Sequence, residues 1–114
     1  MNPFFNTEEL RTYGQKALDL AADTYENLEK FEVVPRIEPG AIRNALPTTA
    51  PEKAESLDVI LKDTERIIIP NLTQWQHPNF FAYFGSNTNH AAIIGDIIAS
   101  TFNPPGFTWV ASPA

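Results

Sequence analysis

The sequence predicts a mainly α-helical chain, on three observations. Apolar residues recur at spacings of three and four in two stretches, each opened by a polar residue suited to capping a helix. A third, less polar stretch also reads as helix. Prolines gather between the first two stretches rather than within them.

The first helix is expected over 7–30. Asn6 is a good N-cap and Glu9, three residues on, gives the pattern of a capping box. Leu10, Tyr13, Ala17, Leu20, Ala21, Thr24 and Leu28 form one apolar stripe, and Lys16, Asp19, Asp23, Glu26 and Lys30 fall largely off it. Gly14 interrupts the stretch and reads as a close helix contact. Residues 32–52 hold Pro35, Pro39, Pro47 and Pro51 and read as a connector crossing a surface. Within it Pro39-Gly40 marks a turn, and Ala41 to Leu46 has room for a turn or two of helix. The second helix is expected over 56–68, capped by Ser56 and striped by Leu57, Ile60, Leu61, Thr64, Ile67 and Ile68. It should end near Ile69, because Pro70 disfavours α geometry just before it. The segment 74–86 is expected to be extended or irregular. The third helix is expected over 89–102, stopped by Asn103-Pro104-Pro105-Gly106.

Charge separates the chain into two halves. Of its 114 residues 22 are charged, and 21 of those lie between Glu8 and Arg66. From Ile67 to the end there are 48 residues and one charge, Asp96, yet eight of the thirteen aromatics. Charged side chains normally solvate a surface. Such a segment suits burial, and only 66 residues precede it. Two amphipathic helices on a long link offer little mutual surface, so a helical arm lying on a partner is the natural reading.

Composition narrows the function. A net charge of −6 argues against a nucleic-acid partner. The absence of cysteine excludes disulfide scaffolds, cysteine-based zinc sites and thiol nucleophiles. The first residues lack the basic start and apolar run of a signal peptide, and no apolar run suits a membrane span, so the expected location is cytoplasmic. His77 and His90 are accompanied in the charge-poor half only by Asp96, and read as structural histidines rather than metal ligands. Glycine-rich phosphate loops and nucleophile elbows are absent. Glu8 and Glu9 suit a helix N-terminus, where the dipole favours them. The dense aromatic run from Trp75 to Asn87 stands apart. It reads either as hydrophobic core or as the wall of an apolar pocket, where ring faces meet a flat ligand.

Two motifs carry a resemblance. His77-Pro78-Asn79-Phe80-Phe81-Ala82-Tyr83-Phe84, followed by Gly106-Phe107-Thr108-Trp109 and Ser112-Pro113-Ala114, resembles the N-terminal region of the group II pyridoxal-phosphate-dependent decarboxylases. That family includes aromatic-L-amino-acid, tyrosine, tryptophan and histidine decarboxylases and related aldehyde synthases. Val34-Pro35, Glu38-Pro39-Gly40 and the run from Ile68 to Trp75 fit as well.

The resemblance implies a homodimer with the aminotransferase-like fold type I, its active sites at the dimer interface. It implies a helical N-terminal dimerisation arm with a pocket-lining segment over 1–88. Residues 89–114 would begin the α/β large domain that binds pyridoxal 5'-phosphate, cut off here. It places Trp75, Tyr83 and Phe84 in the substrate side-chain pocket, with Gly85 and Ser86 close to substrate and cofactor. The Pro105-Gly106-Phe107 segment would reach the neighbouring subunit's pocket. Many relatives have proline where this chain has Gly85, so the backbone here is freer. The catalytic lysine of the family follows a histidine, and none of Lys16, Lys30, Lys53 and Lys62 does. All four read as solvated surface residues, so the chain is not expected to bind the cofactor covalently or to be active alone. The expected function is that of the N-terminal fragment of an amino-acid decarboxylase, for an aromatic or imidazole amino acid. The alternative is a separate, non-catalytic product acting as an interaction module.

Overall fold

The computed structural model describes residues 5–85, 87–104, 106–110 and 112. It divides into two compact units, residues 1–81 and 82–114, each taken by itself below. The described residues contain helices and turns and no strand.

In the first unit, helix α1 spans Thr7–Glu26. Asn6 caps it as expected: its Oδ1 accepts the amides of Glu8 and Glu9, both at 3.1 Å. The helix stops four residues short of the expected end. Asn27 is the reason: its Nδ2 and its own N–H both donate to the Asp23 carbonyl, at 2.7 and 3.1 Å, and the chain tightens into a 3₁₀ turn over Leu28–Lys30. Gly14 marks no close contact, since a Cβ built there meets nothing within 4 Å.

The connector turns at Glu38-Pro39-Gly40-Ala41, where the Ala41 amide donates to the Glu38 carbonyl at 3.0 Å. Gly40 holds φ 90°, ψ −8°, the geometry a type II turn demands at its third residue. Helix α2, Ala41–Ala45, follows at once. Pro47 ends it by holding Leu46 extended.

Helix α3 spans Leu57–Asp63, with Ser56 accepting the Val59 amide. The sequence predicts regular helix on to 68, but Thr64–Ile68 is a π turn and Ile69–Asn71 a 3₁₀ turn that contains Pro70. Proline 70 has no N–H to give and its ring crowds the carbonyl four residues back, so the ladder widens and then tightens around it. Side-chain amides take up carbonyls this leaves over. Asn71 Nδ2 donates to Ile67 O at 2.8 Å, and Gln74 Nε2 donates to Ile69 O at 2.8 Å. Helix α2 rests against the π turn and α3 against α1. Ile67, within the π turn, is the one buried hydrophobic residue among those described. The core of this unit is therefore thin.

The second unit is built around helix α4, His90–Phe102. Asn89 caps it, accepting the Ala92 amide at 3.0 Å. Asn103 ends it in the left-handed region, at φ 37° and ψ 51°, with its N–H on the Ala99 carbonyl. None of its residues is buried, and Ile94, Ile97, Ile98 and Phe102 are exposed. An apolar helix with no covered face is stable only against something that covers it.

Candidate functional site

The aromatic segment follows directly from the π and 3₁₀ turns. Beyond Asn71 the backbone is held by a short series of bonds. The Gln74 amide donates to the Val33 carbonyl at 2.9 Å, the His77 amide to Gln74 O at 2.9 Å, and the Phe80 amide to His77 O at 2.9 Å. The segment from Gln74 is irregular, as the sequence predicts, because consecutive turns replace any ladder.

Trp75 stands half exposed at 48%, with its ring 4.9 Å from that of Phe80 and tilted by 41°. Such a pair contributes about 0.5–1.5 kcal/mol beyond the area it buries. On either side of Trp75 lie Gln74 and His77, the two buried polar residues among those described. His77 Nδ1 accepts the Asn79 amide at 3.0 Å. The reading of His77 as a structural histidine thus has its hydrogen bond, and His90 is the exposed first residue of α4.

Tyr83, Phe84, Gly85 and Phe107 belong to the second unit, and all four are exposed. Phe84 is wholly exposed. Tyr83 holds φ 57°, a left-handed conformation uncommon for a bulky residue. Ser86 and Pro105 lie outside the described residues. Sequence reasoning did not single out Phe80 as a site residue, although its ring supports Trp75. The signal available was its place in the dense aromatic run.

Elsewhere, Lys16 on α1 pairs with Asp58 on α3. The hydrogen bond from Lys16 holds the Asp58 carboxyl below the usual range, and the same bond raises the Lys16 amine above its own. The Tyr13 ring lies 5.1 Å from the Lys16 ammonium. A cleft of about 250 Å³ beside this pair is lined by charged groups including Asp19, Asp23, Lys62 and Glu65, and by none of the predicted pocket residues. No group of three histidine or acidic residues among those described is placed to hold a metal.

Comparison with known proteins decides the lineage. Residues 39–114 match the model of the pyridoxal-dependent decarboxylase conserved domain. The chain belongs to this family. It is 46% identical over 107 residues to phenylacetaldehyde synthase of a Rosa hybrid cultivar, covering 94% of this chain and 21% of that protein. It is 44% identical to L-tyrosine/L-DOPA decarboxylase 2 of Lophophora williamsii, covering 99% and 22%. Among solved structures it is similar to Oryza sativa TDC with PLP and tryptamine, with TM-score 0.91, 40% identity and coverage of 99% and 24%. It is also similar to Rhodiola rosea 4-hydroxyphenylacetaldehyde synthase, with TM-score 0.90, 41% identity and coverage of 98% and 24%. The chain thus spans about a fifth to a quarter of the length of these relatives.

The pyridoxal-dependent decarboxylases need a lysine amine free to attack the cofactor's aldehyde. None of the four lysines of this chain follows a histidine. The Lys16 amine is engaged by the Asp58 carboxylate. Lys30 donates to Asn27 Oδ1, and Lys53 and Lys62 are exposed.

Proposed function

We propose that this chain is the N-terminal part of a cytoplasmic pyridoxal-phosphate-dependent aromatic amino-acid decarboxylase, and that it supplies dimer-interface and substrate-pocket residues. Residues 1–88 form the dimerisation arm and 89–114 begin the large domain. Trp75, Tyr83, Phe84, Gly85, Ser86, Pro105 and Phe107 contribute to the wall that takes the substrate's aromatic side chain. The observation that carries this reading is the uncharged second half: family membership coincides with exposed aromatic side chains at Tyr83, Phe84 and Phe107. Burial of a flat ring against such faces is favourable because it removes apolar area from water on both partners.

When bound, pyridoxal phosphate supplies the electron sink that makes loss of CO₂ possible. This chain's share is to bind and orient the amino acid and to exclude water. The names of the relatives include both decarboxylases and aldehyde synthases, so the product is to be read as amine against aldehyde.

The test is Phe107→Ala in the complete gene product. KM for L-tyrosine or L-tryptophan should rise by about tenfold or more, the scale of one lost aromatic contact. Cofactor absorbance should stay intact. Unchanged kinetics would remove Phe107 from the pocket. The exposed apolar face of α4 also favours a second reading, a non-catalytic module that docks on decarboxylase subunits. Mixing the 114-residue chain with the full-length enzyme separates the two: a stable complex supports the module and an unbound monomer rejects it.

A further inference from the structure

We propose that His77 is a positioning residue that closes the Trp75 turn by taking the acceptor place of an asparagine or aspartate side chain. The inference rests on the reading of Trp75 as part of the substrate wall. Three of the described residues are buried, and two of them, Gln74 and His77, are polar and flank Trp75. A buried polar group without a partner is costly, so what these two bond to shows what they do.

His77 Nδ1 accepts the amide of the residue two positions on, Asn79, at 3.0 Å. That bond, from side chain i to the N–H of i+2, is the one an asparagine or aspartate oxygen makes when it closes a turn. Nδ1 thus plays the acceptor part that an amide or carboxylate oxygen plays in such a turn. The backbone of the same residue is engaged on both sides: its N–H donates to Gln74 O, and its carbonyl accepts from Phe80 N–H. The second bond brings Phe80 back beneath Trp75, with the rings 4.9 Å apart. Gln74 fastens the turn to the rest of its unit. Its amide reaches Val33 O, and its Nε2 donates to Ile69 O and Leu72 O, at 2.8 and 3.2 Å. The imidazole thus acts through the orientation of Trp75.

The test compares His77→Asn, His77→Gln and His77→Leu in the complete gene product. Asparagine puts an acceptor oxygen near the place of Nδ1. Glutamine puts it near Nε2, and leucine has none. Hydrogen exchange at the Asn79 amide should stay slow in His77→Asn and quicken about tenfold in His77→Gln and His77→Leu, the scale of one lost hydrogen bond. KM for the aromatic substrate should follow the same order, near the parent value in His77→Asn and several-fold higher in the other two, with cofactor absorbance unchanged. Equal exchange in all three variants, or equal KM in His77→Asn and His77→Gln, overturns the proposal. Exchange is read without substrate and decides the turn independently. A parent protein that acts on no aromatic amino acid would overturn the decarboxylase reading instead.

Discussion

Gly40 shows how one residue can be required for its backbone alone. Its φ of 90° lies where a side chain is disfavoured, yet a Cβ there would approach nothing closer than Asn44 Nδ2 at 4.0 Å. Gly40→Ala should therefore destabilise the protein by about 1–2 kcal/mol through conformation rather than collision, checked by denaturant titration. Gly14 is the opposite case. It is helical, its Cβ position is open, and Gly14→Ala should stabilise by up to about 1 kcal/mol in the same titration. A loss of stability in the complete gene product would mean that another surface fills that space. Both glycines are plain in the sequence. Pro39-Gly40 announces its turn, whereas the open surroundings of Gly14 depend on what packs there, which spacing does not encode.

At the scale of elements, the Lys16–Asp58 pair joins α1 to α3. The Asp58 carboxyl is depressed, so its stabilisation is complete above the ordinary aspartate value near ~3.9 and fades as pH falls through the lowered one. The Lys16 amine is raised, so its stabilisation is complete below about 10.4 and fades as pH rises through the raised value. The thermal midpoint of the parent should exceed that of Asp58→Asn on a plateau between these limits, and the gap should close at both ends. Both groups face solvent, so the gap should be small and shrink with salt. A difference that does not vary with pH would assign the effect to packing.

Helices α1 and α3 are legible in Asn6 and Ser56, which stand just ahead of their first turns and cap them, whereas the cap that Asn89 supplies to α4 is not singled out by the sequence reading. The change of pitch after Asp63 was not legible. It is one of several ways a chain can accommodate Pro70, and the choice depends on Asn71 and Gln74 reaching carbonyls that only the folded backbone presents. The burial of Gln74 and His77 was hidden for the same reason, since a polar side chain is buried only where its hydrogen bonds happen to meet. The expectation that Trp75 lines a pocket comes from the family resemblance and not from the aromatic run, and neither singles out Phe80, the ring that packs against it.

For the molecule as a whole, the deciding fact is the mismatch between composition and burial. The 48 residues from Ile67 carry one charge, and yet Ile67, Gln74 and His77 are the only described residues that are buried. A surface this apolar is stable when another surface covers it. The proposed reading assigns that cover to the rest of a decarboxylase, and the chain spans 21–24% of the length of the relatives described above. The most direct test is the mass of the native product in its source cells, detected with an antibody raised to residues 7–66. The account predicts a species four to five times heavier than 12.7 kDa, as the coverage of those relatives implies. A species at 12.7 kDa alone would contradict it and leave the interaction module as the reading that stands.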